Sequence, residues 1–349
     1  MYNLKEITKK DDWNNFIINN FDFYSFLNSW EWGEFNILEW NEIFRYWIFN
    51  SDIQYWVLFL IKIKAKRWTY FLSPHSPLIK ENYFQILKDI IPEIKKLAQK
   101  EKVNFLRLNW VNLNNFKNLK NYKKLGFIFA PIHAHAEETH LLDLNKDENI
   151  LKNNLRKTTR YIINRAEKEG VEIIKNNNEE NIFEFIKMHL KHANRTNWKN
   201  TYHAFSEKYI KNLFKVFWEK DINCIKAIYK NTTEASLVTI KFWKKCVYYL
   251  GASDIKNPKF SPAYLLQWRA ILEAKNSWCD LYNFWWVAPL ESKNHPLKWV
   301  SLFKRWFWWE DYYLIHAQDY PFNYKYYITY IIEKLRSIKR WYKYKKPIN

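Results

Sequence analysis

The chain has almost no glycine, 4 residues in 349, where a share of about 7%, or roughly 24, is usual. Glycine supplies the left-handed backbone of turns, helix ends and bulges. A chain this long without it has to build those features from residues that resist them. Tryptophan is in excess, at 20, and the two counts together come to about the usual glycine number. Cysteine is scarce. Cys224, Cys246 and Cys279 lie far apart with no C-x-x-C pair, which speaks against a disulfide framework or a zinc site and for buried thiols in a reducing cytosol. Long apolar runs are missing: Tyr55 to Ile61 is the longest, far short of the ~20 residues of a membrane span. The opening MYNLKEITKKDDW lacks the apolar region of a secretory signal. These absences set the expectation of a cytoplasmic protein. There is no Walker loop, G-x-S-x-G or H-E-x-x-H, which removes P-loop, serine-hydrolase and zincin chemistry.

Acidic residues are outnumbered 36 to 56, for a net charge of +20. This favours an anionic partner, nucleic acid or an anionic membrane, although AT-rich coding also inflates Lys. Hydrophobic residues make up 48% of the chain and charged residues 26%, the balance of a folded protein, and the length suits two domains.

Periodicity predicts helices within 12–40, then strands over Ile43–Phe49, Gln54–Ile63 and Thr69–Leu72. An amphipathic helix over Asn82–Lys100, interrupted at Pro92, leads to a strand at Val103–Leu108, a helix at Asn114–Lys124 and a strand at Thr139–Leu144. One long helix is expected over 146–168, stopped by Gly170. The pattern then repeats: strand 171–174, helices 180–192 and 206–219, strands 222–229, 235–242 and 246–251, helix 262–276, strand 279–284. This is an α+β chain of two similar halves.

Tyr282 to Asp311, YNFWWVAPLESKNHPLKWVSLFKRWFWWED, places tryptophans beside Pro and Lys where turns should be. Tryptophan carries a large apolar ring that seeks a partly buried site, whereas loops run over the surface. We read most of these tryptophans as positions where the source organism inserts glycine, a codon read differently; a truly tryptophan-rich protein is the alternative. Trp30, Trp32 and Trp268 sit in apolar, amphipathic contexts and read as genuine. With glycine in place, the stretch becomes YNFGGVAP and HPLKGVSLFKRGFGGE, two glycine-rich turns around an F-K-R segment.

In that form the stretch resembles the FemABX family, the aminoacyl-tRNA-dependent transferases that build peptidoglycan cross-bridges. SFLNSWEWGEF (25–35), KRWTYFLSPHSPLI (66–79), LRKTTRYIINRAEKEGV (155–171), YYLGASD (248–254), PAYLLQWRAILEAK (262–275), YNFWWVAP (282–289) and HPLKWVSLFKRWFWWE (295–310) occur in family order over nearly the whole chain. The resemblance implies two tandem GNAT-like (acyltransferase-type) domains, 1–145 and 146–319, with a C-terminal helix (Tyr324–Tyr344, within 320–349) returning to the first. No charged heptad stretch suggests the family's helical arm, so the short form is expected.

The implied reaction moves an amino acid from aminoacyl-tRNA, a co-substrate, to the stem-peptide amine of a peptidoglycan precursor, either lipid II or a nucleotide-linked muropeptide. No cofactor and no metal are implied. A monomer is expected, with the inner membrane surface as a further candidate partner. The resemblance makes Lys304 the reaction-centre cation, with Phe303 beside it. Arg195 would hold precursor phosphate or carboxylate, and Tyr249 would line the precursor site. Asn36 stands where some relatives have a phosphate-binding Lys, which leaves the precursor contact open. Arg156, Lys157 and Arg160 form a basic helix face suited to tRNA phosphates. The basic, aromatic tail Lys334–Lys346 suits nucleic acid or anionic lipid. His133, His135 and His140 resemble a metal cluster, but His140 has the wrong strand parity. Two other readings stand beside the transferase: a GNAT-like acyl-CoA N-acyltransferase, whose R/Q-x-x-G-x-G/A loop is missing here, and a non-catalytic tRNA- or envelope-binding protein.

Overall fold

The computed structural model describes the chain apart from residues 52, 110–115, 133, 197–203, 218–219, 255, 257–260, 291–294, 296, 308–309 and 340–349. It divides into two compact units, Met1–Glu138 with Tyr313–Asn349, and Thr139–Tyr312.

The first unit opens with β1 (Asn3–Glu6), α1 (Lys10–Asn20) and α2 (Trp30–Leu38), whose Ser29 cap accepts from the Trp32 N–H at 3.1 Å. The meander β2 (Glu42–Asn50), β3 (Ile53–Lys64) and β4 (Thr69–Pro74) follows. Next come α3 (Tyr83–Lys100), β5 (Phe105–Asn109), α4 (Phe116–Lys124) and β6 (Ile128–Phe129). Helix α3 runs through Pro92 without a break. Its inward stripe of Ile86, Leu87, Ile90, Ile91 and Ile94 is continuous across the proline, and that packing outweighs one lost backbone bond.

The second unit takes up β7 (Glu138–Asp143), α5 (Glu148–Asn154), α6 (Lys157–Lys168), β8 (Glu172–Lys175), α7 (Glu179–Thr196) and α8 (Glu207–Val216). The meander β9 (Ile222–Tyr229), β10 (Thr232–Phe242) and β11 (Lys245–Ser253) leads through α9 (Pro262–Asn276) to β12 (Leu281–Trp286), α10 (Lys298–Arg305) and β13 (Glu310–Tyr313). Two helices replace the single one expected over 146–168. Asn153 and Asn154 are weak helix formers, Leu155 is extended and buried in the core, and Arg160 Nη1 donates to the Asn153 and Leu155 carbonyls. The first helix is thus capped before the second starts.

Within the unit, β11 and β12 pair in parallel, with α9 as the crossover between them. The strand order is β13-β7-β12-β11-β10-β9-β8. Trp268 and Ile271 of α9 sit in the core beside Leu237 of β10 and Phe284 of β12.

The chain then returns to the first sheet as β14 (Gln318–Pro321), between β5 and β6, and ends in α11 (Lys325–Lys339). That sheet runs β1-β2-β3-β4-β5-β14-β6, with β4 and β5 parallel. A three-strand meander, a crossover helix and a parallel strand therefore occur in each unit, in keeping with two GNAT-like domains and a C-terminal helix packed on the first.

A buried ion cluster ties the returning segment down. Arg107 on β5 donates from Nε to Asp319 Oδ1 at 2.8 Å, and from Nη2 to Asp319 Oδ2 and Glu333 Oε2 at 2.7 Å each. The Tyr326 hydroxyl adds a bond to Asp319 Oδ2 at 3.1 Å. Removing the cation leaves two buried carboxylates facing each other. Arg107→Ala is therefore expected to lose about 3–5 kcal/mol in denaturant unfolding; a loss below about 1 kcal/mol would mean that the cluster does not hold α11 and β14.

Candidate active site

Lys304 lies in the last turn of α10 and is 6% exposed. The F-K-R segment is therefore the helical last turn of α10. Val300 and Leu302 face outward while Ser301 and Lys304 face inward, the spacing of one helical turn. Three bonds clamp this helix to the end of β12. Lys304 Nζ donates to the Trp286 carbonyl at 2.9 Å, the Ser301 hydroxyl accepts from the Ala288 N–H at 2.6 Å, and Arg305 Nη2 donates to the Ala288 carbonyl at 2.6 Å. Arg305 Nε also reaches Asp311 Oδ2 at 2.8 Å, and His140 Nδ1 bonds Asp311 Oδ1 at 2.9 Å. Burial alone would raise the Asp311 carboxyl, but the bonds from His140 and Arg305 hold it below the usual carboxylate value.

Burial pushes the Lys304 ammonium down to about 7. A lysine in such a site exchanges its proton near neutrality, which fits a group that meets charge only during a reaction. Its Nζ lies 5.3 Å from the ring centroid of Tyr248, a cation–π contact. The sequence pointed to Tyr249 and missed Tyr248. The residue pairing of β10 and β11 explains why: Thr239 pairs with Tyr248 and Val238 with Leu250, so Tyr249 is the extra residue of a bulge, a device that re-aims side chains. The Y-Y pair was the available signal. Gly251 leaves room for Tyr248, since a Cβ there would sit 2.0 Å from its hydroxyl.

Tyr249 instead shares a 2.5 Å hydroxyl–hydroxyl bond with Tyr209 of α8, and its ring lies 6.4 Å from that of Trp285. Phe303 packs edge-on against Tyr264 at 5.0 Å and Phe307 at 5.4 Å, so its ring is partly committed to the core. Arg195 falls in the last turn of α7, and its side chain is outside the described residues. Arg156 and Lys157 are exposed at the start of α6, and the Arg156 guanidinium lies 5.5 Å from the Trp306 ring. Arg160 donates from Nη1 to the Asn153 and Leu155 carbonyls at the end of α5. Asn36 is buried in α2, donating to the Trp32 carbonyl at 2.8 Å and accepting from Asn41 at 3.2 Å. His140 belongs to the Asp311 pair, His135 packs near Trp32 in the first unit, and His133 is outside the described residues.

Among the described residues, four tryptophans have left-handed backbone: Trp40 (φ 65°), Trp243 (φ 52°), Trp278 (φ 63°) and Trp285 (φ 61°). Trp278 follows the end of α9, where Cys279 N–H returns to the Ala274 carbonyl at 3.1 Å, a helix ending that favours glycine. Trp243 opens the two-residue turn between β10 and β11. Trp285 sits at a β12 bulge, between the pairs Asn283–Leu141 and Trp286–Thr139. By contrast, Trp306 is right-handed at the end of α10, Trp299 lies within α10, and Trp308 and Trp309 are outside the described residues.

A family model described as the FemAB family matches residues 219–309. No curated protein matches the chain. Among solved structures, one described as FemX superposes with a TM-score of 0.81 at 15% identity, covering 95% of this chain and all of that one. A tandem GNAT protein from the clavulanic acid biosynthesis pathway gives 0.56 at 10% identity, over 93% of this chain and 99% of that one. L-PGS from Bacillus licheniformis gives 0.52 at 14% identity, over 85% and 90%. The family match falls on the meander, crossover helix and clamped α10 that hold Lys304, and the FemX likeness extends over the rest of the fold. Residues 219–309 thus match the FemAB family model, and the fold of the chain is that of the structure described as FemX.

Proposed function

We propose that this protein transfers an amino acid from aminoacyl-tRNA to the stem-peptide amine of a peptidoglycan precursor. The observation that carries the reading is Lys304, a buried amine held against the Trp286 carbonyl inside the stretch that matches the FemAB family. In the reaction the precursor amine attacks the ester carbonyl, a C–N bond forms and the C–O bond to the tRNA ribose breaks. The amine gives up a proton and the ribose oxygen gains one. The ester is already activated, so positioning and a cation beside the developing oxyanion suffice, and no covalent enzyme intermediate is required.

Lys304 is that cation. Tyr248 and the clamp to β12 position it. Phe303, Tyr249 and Arg195 contact the precursor, and Arg156 and Lys157 meet tRNA phosphates. The chain works as a cytoplasmic monomer without a metal or cofactor, on lipid II or a nucleotide-linked muropeptide. The donor test offers total charged tRNA and acetyl-CoA in parallel, with a stem pentapeptide precursor as acceptor. Product from charged tRNA that ribonuclease abolishes supports the reading; product from acetyl-CoA alone makes the protein an acyl-CoA transferase.

A further inference from the structure

Helix α11 carries its two faces the wrong way round for a soluble protein. The side turned into the first unit holds Tyr326, Thr329, Glu333 and Ser337, all buried, and three of these four are polar. The opposite side holds Tyr327, Ile328, Ile331, Leu335 and Ile338, each more than half exposed. Spacings of three and four put these five on one stripe, directly across from the buried set. Tyr324, just before the helix, is also exposed.

The charge beside the stripe has one sign. Lys325, Lys334 and Arg336 are exposed on α11, while the single acidic residue of the helix, Glu333, is buried against Arg107. Between Lys334 and Asn349 the sequence has no Asp or Glu, and it adds Lys339, Arg340, Lys343, Lys345 and Lys346. An aliphatic stripe, a tyrosine at its edge and basic residues on both flanks form the pattern of a helix that lies in the plane of a membrane interface, its apolar side in the acyl boundary and its cations among anionic headgroups. Stacking on RNA bases would call for aromatic or Arg planes along the stripe, and four of its five residues are aliphatic.

We infer that α11 docks the protein onto an anionic bilayer surface, through Ile328, Ile331, Leu335 and Ile338 flanked by Lys325, Lys334 and Arg336. The inference does not depend on which reaction the second unit performs.

The test floats the full-length chain with vesicles of phosphatidylcholine alone or mixed with phosphatidylglycerol. It compares the wild type with Ile331→Glu/Leu335→Glu, both exposed sites whose replacement leaves the core intact; circular dichroism and the melting curve check this. The expected result is flotation with the anionic vesicles that weakens as salt rises, and at least about a tenfold loss of partitioning in the double variant. Failure of the wild type to float with anionic vesicles overturns the inference. Equal flotation of the double variant also overturns it, because the tail charge alone would then explain binding. A dimer in solution that the double variant dissolves would assign the stripe to a second copy, and a loss of tRNA binding without vesicle binding would assign it to RNA.

Discussion

Lys304→Ala is expected to cut the rate of amino-acid transfer by about 10²–10³-fold, the usual effect of removing one group that stabilises an oxyanion, while precursor and tRNA binding stay within a few-fold. Loss of transfer together with loss of binding would instead mean that Lys304 holds substrate or structure. The lowered lysine supplies a second, independent readout. If the protonated amine is the active form, transfer per enzyme falls as pH rises through about 7, and Lys304→Arg, charged throughout, loses that limb. A rising limb assigned to Lys304 would make it a base that takes the attacking amine's proton.

Stability moves the other way. The folded value of about 7 lies below the ordinary 10.5, so the unfolded chain binds more protons between the two. Stability therefore rises with pH across that window. Lys304→Met removes this slope and slows transfer as Lys304→Ala does.

The second large effect concerns the tryptophans. Trp40 and Trp278 are 82% and 86% exposed, and Trp243 is also exposed. Their rings bury little, while their left-handed backbone costs on the order of 1–2 kcal/mol each. Replacing all three with glycine is expected to stabilise the chain by roughly 2–4 kcal/mol, after allowing for glycine's extra freedom when unfolded. This corresponds to a rise of about 3–5 °C in Tm for a chain of this length. Trp285 differs because its ring is buried near Tyr249. Glycine there opens space beside the proposed precursor site, and transfer should increase. Trp268→Gly is the control: this ring is fully buried in the second core, and its loss costs at least 3–5 kcal/mol. Peptides from the native organism should weigh as glycine at 40, 243, 278 and 285 and as tryptophan at 268. Tryptophan masses at all five positions would end the glycine reading.

Sequence patterns were most legible where one element carries its own signal. Strand β9 and helix α9 were read with the bounds they have, because the first alternates and the second begins with Pro262 and holds a continuous apolar set. Strands β1, β13 and β14 escaped notice. Each has four residues, too few to show a period, and β14 exists because Asp319 finds Arg107, 212 positions away. The clamp behind Lys304 was hidden for a related reason. Ser301, Arg305, Asp311 and His140 look like ordinary surface residues until α10 forms, and reading Trp299 and Trp306 as glycine erases the pattern of that helix. Tyr248 escaped because a bulge, invisible in a strand's alternation, decides which of two adjacent tyrosines faces the lysine.

The most direct measurement follows the acceptor. A purified stem-pentapeptide precursor is incubated with the protein and total charged tRNA, and the product is weighed intact and after fragmentation. The account expects a mass gain of one or more amino-acid residues, placed on the side-chain amine of the third stem residue, absent with uncharged tRNA and formed about 10²–10³-fold more slowly with Lys304→Ala. A precursor of unchanged mass under conditions in which the protein binds both substrates would contradict it.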